Sequence, residues 1–339
     1  MADSRVPLFL PAVSSMRSTT HSIPLACALF LACLLGDNVR AQGHLPDANR
    51  IVFLGDSITH SGGYIVSLES AVLAQHPERH MEFLNLGLPS ETVSGLSEPG
   101  HAGGQFPRPD LHERLQRVLE QTRPDLVVAC YGMNDGIYYP LSEERFAKFK
   151  SGIERLHELV EKSGSQILHL TPAFFDALPL RDRLLPAGLE EYRQPYQGYD
   201  DVLEAYSEWL LSKKKDGWIV LDTHAAMKQA VLLKRQSNPQ FTFAGDGVHP
   251  DAAGQAVIAE PLATAWGLSL DEKGLPPHPQ SQSVFDTISK KQNTLKLAWL
   301  SATRHTRPGI GPGLPIDQAR TQAAELDRKA RDLLAEKIK

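Results

Sequence analysis

Cysteine is scarce in this sequence: there are 3 in 339 residues, and two of them, Cys27 and Cys33, lie within the first forty. Cys130 stands alone in the rest of the chain, so no disulfide can close within it. It falls in an apolar run and reads as a buried core residue. An excess of basic charge is also missing. Lys and Arg number 35 against 40 Asp and Glu, a formal charge of −5, which argues against a nucleic-acid partner and against a polybasic membrane patch. The apolar run at residues 23–35 is interrupted by Pro24 and is too short to span a bilayer, so no membrane anchor is expected. No repeat of 20–50 residues, phosphate loop or dinucleotide fingerprint occurs. His76-Pro77-Glu78-Arg79-His80 carries two histidines but lacks the H-E-x-x-H arrangement. Neither a metal nor a cofactor is expected.

What the first forty residues do contain fits a secretory signal. Arg17 precedes the apolar run, and Val39-Arg40-Ala41 supplies a small-x-small cleavage pattern, with Met16 as an alternative start. Pro24 and Phe30 stand where a lipid-attachment site at Cys27 or Cys33 would want a small branched aliphatic residue. Removal of residues 1–41 takes three arginines and two aspartates from a chain at −5, leaving 298 residues at −6. The expected location is secreted or periplasmic.

The order of elements after that point predicts an α/β fold. Apolar strand candidates lie at 51–54, 81–86, 125–131, 166–170 and 218–221, and helical spacing appears at 63–76, 111–119 and 142–162. A Gly-, Ser- and Pro-rich loop occupies 88–109, and loops of that length inside a domain are usually functional. Strands separated by helices imply a parallel sheet covered on both faces, with the active site at the strands' carboxyl ends.

Those ends carry the chemistry-bearing residues. Ile51-Val52-Phe53-Leu54-Gly55-Asp56-Ser57 delivers Ser57 between a buried strand and the start of a helix, where free N–H groups suit an oxyanion. Asp56 and Ser57 equally suit a helix cap. Gly87 follows the second strand, and Asn134 follows the third within Tyr131-Gly132-Met133-Asn134-Asp135. Ala244-Gly245-Asp246-Gly247-Val248-His249-Pro250 places an Asp three residues before a His, so that the carboxylate can orient the imidazole. An imidazole so held can accept the proton of a serine hydroxyl.

Gly55-Asp56-Ser57, Gly87, Gly132-x-Asn134 and Asp246-x-x-His249, in that order, resemble the SGNH hydrolase family, also called GDSL esterases, over roughly residues 50–266. The resemblance implies a three-layer sandwich around a five-stranded parallel sheet, the flavodoxin-like SGNH fold. It further implies Ser57 as nucleophile, His249 as general base and acid, and Asp246 as its partner. The oxyanion hole would comprise the backbone N–H groups of Ser57 and Gly87 and the side-chain amide of Asn134. Thr59 stands where the G-x-S-x-G elbow requires glycine, which disfavours an α/β-hydrolase lipase.

Substrate contacts are expected from the loops, with Arg108, Tyr64 and Phe174 as candidates. An insertion at 172–199 carries Phe174, Phe175, Arg181, Arg183, Tyr192, Arg193, Tyr196 and Tyr199. Aromatic rings with interspersed arginines suit a sugar or an anionic polymer, and they equally suit the insertion's own small core. With export, this favours hydrolysis of O-acetyl esters on a carbohydrate. A lysophospholipase or thioesterase acting on longer acyl chains, and a catalytically silent binding module, remain as alternatives. The domain limits read as 46–268 for the hydrolase, 269–283 for a linker and 284–339 for a C-terminal helical extension. In its last helix Ile316, Ala319, Ala323, Leu326, Ala330 and Leu333 form a narrow stripe suited to the preceding helix, to the domain, or to a second copy in a homo-oligomer. By position, His305 and Arg307 at the bend before it are candidates to reach the active site.

Overall fold

The computed structural model describes residues 43–188 and 194–336. The expected signal segment and residues 189–193 of the aromatic insertion, Tyr192 and Arg193 among them, lie outside the described residues. The apolar runs become β1 (Arg50–Gly55), β2 (Glu82–Asn85), β3 (Leu126–Cys130), β4 (Gln166–Leu170) and β5 (Ile219–Leu221). All pair in parallel, in the order β2-β1-β3-β4-β5. Every residue of β3, and every residue of β1 after Arg50, is buried, which is why these strands read as continuous apolar runs and do not alternate. Edge strand β5 leaves Ile219 about half exposed, at 49 %.

From β1 the chain goes to β2 on one side and reaches β3 on the other, so the strand order reverses beside β1. A crevice at such a reversal is where open α/β sheets bind ligands. Gly55 is in register with Cys130, which sets the turn after β1 beside the turn after β3. Cys130 itself is buried, and burial pushes its thiol pKa up, as a core residue requires.

Helices α1 (Ser57–Ser61), α2 (Gly63–Gln75), α3 (Leu111–Thr122), α4 (Glu143–Lys162), α5 (Tyr199–Ser212), α6 (Thr223–Arg235) and α7 (Ala252–Ala265) cover the sheet. Helix α2 packs on α7, and α3 packs on α4. Phe149 of α4 stacks on Tyr206 of α5 with ring centroids 4.2 Å apart. Two rings of the aromatic insertion belong to the core: Phe175 and Tyr199 are fully buried and meet edge to face at 5.4 Å.

Helices α8 (Ser281–Ala302) and α9 (Ile316–Ala335) pack along one another, and α8 also lies on α2 and β2. Val66, Leu73, Val284, Ile288 and Ala330 form a small apolar cluster joining α2, α8 and α9. The stripe of α9 is thus covered within the chain, with Ala319, Ala323 and Ala330 buried. Lys291 of α8 bonds Glu69 at 2.8 Å and Asp327 at 2.5 Å. The stretch before α8 is fastened as well. Ser269 and Gln75 exchange two hydrogen bonds of 2.9 Å, and Leu275 is buried.

Candidate active site

Strand β1 ends at Gly55 and the chain turns directly into α1. Asp56 caps that helix, its carboxylate accepting the Ile58 N–H at 2.9 Å. The capping role therefore exists, and it is what presents the next residue. Ser57 is the first residue of α1, so its own N–H has no acceptor within the helix. Its Oγ lies 2.8 Å from His249 Nε2.

His249 reaches that point through a tight turn. Gly247 adopts φ +77°, and its N–H donates to the Ala244 carbonyl at 2.9 Å. The turn folds Asp246 back, so that its Oδ1 accepts the N–H groups of Val248 at 3.0 Å and His249 at 2.8 Å. Asp246 Oδ2 then takes His249 Nδ1 at 2.6 Å, leaving Nε2 to face the serine. Burial opposes ionisation of Asp246, but the imidazole and two backbone N–H groups outweigh it and hold the carboxyl well below its usual range. Burial likewise pulls His249 down, yet the Asp246 carboxylate overrides it and raises the imidazole above its ordinary 6.5.

Helix α7 is tied to the nucleophile's helix by Gln255. Its Oε1 accepts the Tyr64 N–H at 3.1 Å and its Nε2 donates to Ser61 Oγ at 2.7 Å. This buried glutamine holds the histidine loop against Ser57. Nothing local in the sequence singles it out.

The opposite side of Ser57 is built around Asn134. Gly132 precedes it at φ +133°, where a Cβ would meet Pro172 at 2.8 Å, so only glycine allows this turn. Asn134 Oδ1 accepts Arg108 Nη1 at 2.9 Å and the Tyr138 hydroxyl at 3.2 Å. Those donors fix which end of the amide is oxygen. Nδ2 donates one N–H to the Glu91 carbonyl at 3.3 Å and has a second hydrogen to donate.

Arg108 therefore has a different place from the substrate contact expected of it. It is 6 % exposed, paired with Glu98 at 2.6 and 2.7 Å, and supports Asn134 from behind. A second buried pair lies beside it: Arg114 bonds Glu91 at 2.6 and 2.8 Å and the Leu86 carbonyl at 2.7 Å. The Tyr131 hydroxyl donates to Glu91 at 2.7 Å. The loop carrying Glu91 and Glu98 is also pinned by Asp135, which accepts the N–H groups of Val93 at 2.9 Å and Ser94 at 2.8 Å.

Gly87 departs from expectation in one respect. Its N–H is taken by Asn85 Oδ1 at 2.9 Å, and so is not a free oxyanion donor. Glycine is required there for another reason: a Cβ would lie 2.4 Å from the His60 nitrogen, because the β2 end packs directly on α1. Asn85 Nδ2 donates to the Thr59 carbonyl at 2.8 Å and closes the same junction.

Residues 53–257 match the GDSL-like Lipase/Acylhydrolase family, a span that holds Ser57, Gly87, Asn134, Asp246 and His249. The chain belongs to that family. Among solved structures it is similar to a gut microbial diltiazem-metabolizing enzyme, at 20 % identity and a TM-score of 0.50, covering 67 % of this chain and 49 % of that one. The chain thus spans about half the length of that relative. It is also similar to a catalytic mutant of Axe2, an acetylxylan esterase from Geobacillus stearothermophilus, at 19 % identity and a TM-score of 0.49, covering 67 % of this chain and 97 % of that one. No curated protein sequence matches it.

The remaining substrate candidates of this GDSL-like hydrolase are not brought to the nucleophile as free side chains. Tyr64 is fully buried and its hydroxyl donates to Thr59 Oγ1 at 3.2 Å, because α2 turns it into the core beside Phe53. Phe174 is partly buried against the core and meets His224 edge to face at 6.1 Å. Volume does not mark the site of this family member either. A cleft of about 790 Å³ between α3 and α4, lined by His112, Arg155 and Lys162 among others, contains none of the residues around Ser57.

Proposed function

We propose that this GDSL-like hydrolase is an exported serine esterase that removes small acyl groups, O-acetyl esters on a carbohydrate, through an acyl-enzyme on Ser57. The observation that carries the reading is the relay from Ser57 Oγ to His249 Nε2 at 2.8 Å and from His249 Nδ1 to Asp246 at 2.6 Å. In the first step Oγ attacks the ester carbonyl while Nε2 takes its proton, and Asp246 stabilises the imidazolium. The developing oxyanion is met by the Ser57 N–H and the second N–H of Asn134 Nδ2, each donor worth roughly 3 kcal/mol. His249 then returns the proton to the leaving alcohol, and water repeats the sequence to release the acid.

The sequence pattern at residues 1–41 supports export. The polar groups flanking Ser57, partly buried His60 on one side and His249 with Asp246 on the other, support a hydroxylated alcohol over a lipid chain. The test is turnover of aryl acetate against aryl octanoate by the chain and by Ser57→Ala and His249→Ala. Acetate should be preferred, both variants should lose activity by roughly 10⁶-fold, and fluorophosphonate labelling should vanish with Ser57. Preference for octanoate would replace this reading with a lysophospholipase or thioesterase, and no turnover with no labelling would leave a binding module.

A further inference from the structure

Cations withdrawn from water among the described residues come in two kinds. Arg108, Arg114 and Lys291 each bond a carboxylate directly. Buried Lys296 and partly buried Arg307 pair with none. Lys296 is 9 % exposed and donates to the His60 carbonyl at 2.8 Å. Arg307 lies over the Phe106 ring, 5.0 Å from its centroid, and donates to the Pro308 carbonyl. Burial pulls both pKa values down, and no acid offsets it.

Unpartnered nitrogens gather at the same corner. Arg307 Nε, His305 Nδ1 and His101 Nε2 are each buried without a hydrogen-bond partner in the protein. His101 meets Phe106 edge to face at 5.4 Å, so Phe106 touches both His101 and Arg307. The bend is fixed in place. Arg117 of α3 donates to the Thr303 carbonyl at 2.9 Å and the Arg304 carbonyl at 3.2 Å, and the Gly313 N–H donates to Ser301 at 2.8 Å.

This corner adjoins the candidate active site. His60, which receives the Lys296 bond, places its Nδ1 2.9 Å from the Gly87 carbonyl at the end of β2. Its imidazole is lowered to about 4, first by burial and then by the positive fields of Lys296, Arg307 and His305. A partly desolvated guanidinium without an acid is costly to keep unless an anion completes it.

Building on the esterase reading, we propose that Arg307, His305, His101 and Phe106 form a subsite for an anionic group on the alcohol portion of the substrate, the carboxylate of an acylated acidic sugar. A guanidinium offers a carboxylate parallel donors, and Phe106 beneath it holds the group in place. On this account the C-terminal helices serve to bring Arg307 to the loop that carries Phe106.

The test separates binding from turnover. Calorimetry on the full chain would compare methyl glucuronide with methyl glucoside, and hydrolysis of aryl acetate would be followed independently. The glucuronide should bind at least tenfold more tightly, Arg307→Gln should abolish that preference, Arg307→Lys should retain part of it, and high salt should weaken it. Equal binding of the two sugars, no binding of the glucuronide, or a preference unchanged in Arg307→Gln would overturn the subsite. Acetate hydrolysis without glucuronide preference would overturn it while leaving the esterase intact. Glucuronide preference without hydrolysis would support it and remove the esterase reading.

Discussion

On one side of Ser57 the proposed proton-transfer groups stand partly in water, with the His249 and Asp246 side chains 45 % and 39 % exposed. On the other side Asn134 is held by Arg108 and Glu98, at 3 % and 1 % exposure, and the neighbouring Arg114 and Glu91 are at 1 % and 0 %. The first arm is fastened by bonds within the turn from Ala244 to His249. The second is fastened by ion pairs and hydrogen bonds spanning 10 to 43 positions in sequence. Groups that exchange protons with a substrate must meet it at the surface, whereas dipoles that stabilise an oxyanion work best when they do not have to reorganise. The two arms divide accordingly into an open one set by local geometry and a closed one set by buried charge.

The greatest loss of activity is expected on the open arm. Asp246→Asn should lower kcat roughly 10⁴-fold while leaving the fold intact, because the imidazole loses the acceptor that fixes its tautomer. His249 must be neutral to take the serine proton, and Asp246 raises its pKa. Wild-type activity should therefore rise with pH through a value above 6.5, and the limb should move to lower pH in the variant. A pH–rate profile with an unmoved limb would show that Asp246 does not govern His249.

On the closed arm the expected failure is of stability first. Arg114→Met leaves the Glu91 carboxylate buried without its partner, and loss of one member of such a pair costs about 3–5 kcal/mol. The denaturation midpoint should fall accordingly, and activity should fall with it because the Glu91 carbonyl positions Asn134. The pair Glu91→Gln with Arg114→Met should recover most of the stability, since the uncompensated charge is then gone. If the double variant is no more stable than the single one, charge is not what closes this arm.

The same division governs what could be read without a structure. Ser57, Asp246 and His249 were legible because a strand end, a cap and a three-residue spacing are local signals, and all five strand cores fell where apolar runs predicted. The supports of Asn134 were not, since Arg108, Glu98, Glu91 and Arg114 find each other only after folding. Arg108, expected as a substrate contact, is buried and bonds Asn134. One signal was present: Arg114 sits on the apolar face of α3 among Leu111, Leu115 and Val118, and an arginine there needs a buried acid. Gly87 was expected as an oxyanion donor, but its N–H bonds Asn85, and the need for glycine there comes from close packing on α1. Helices α5 and α6 carry no comparable sequence signal because they follow an irregular insertion, in which Phe174, Phe175, Tyr196 and Tyr199 pack in or against the core.

The smallest expected effect concerns the residue that joins the arms. Asp56 is buried, caps α1, and has its carboxyl pushed from an ordinary 3.8 up to about 7, chiefly by burial. A folded-state pKa above the unfolded one means that the native protein holds this proton longer. Stability from this group is therefore complete below about pH 4 and is lost progressively as pH rises towards 7. Asp56→Asn keeps an acceptor for the Ile58 N–H and removes the buried charge. Its stability relative to wild type should grow between pH 4 and pH 7 and then level off, read from denaturant midpoints at each pH. A difference that stays flat across that range would mean the carboxyl is ionised in the fold, and that the closed environment of the oxyanion side does not extend to the residue before the nucleophile.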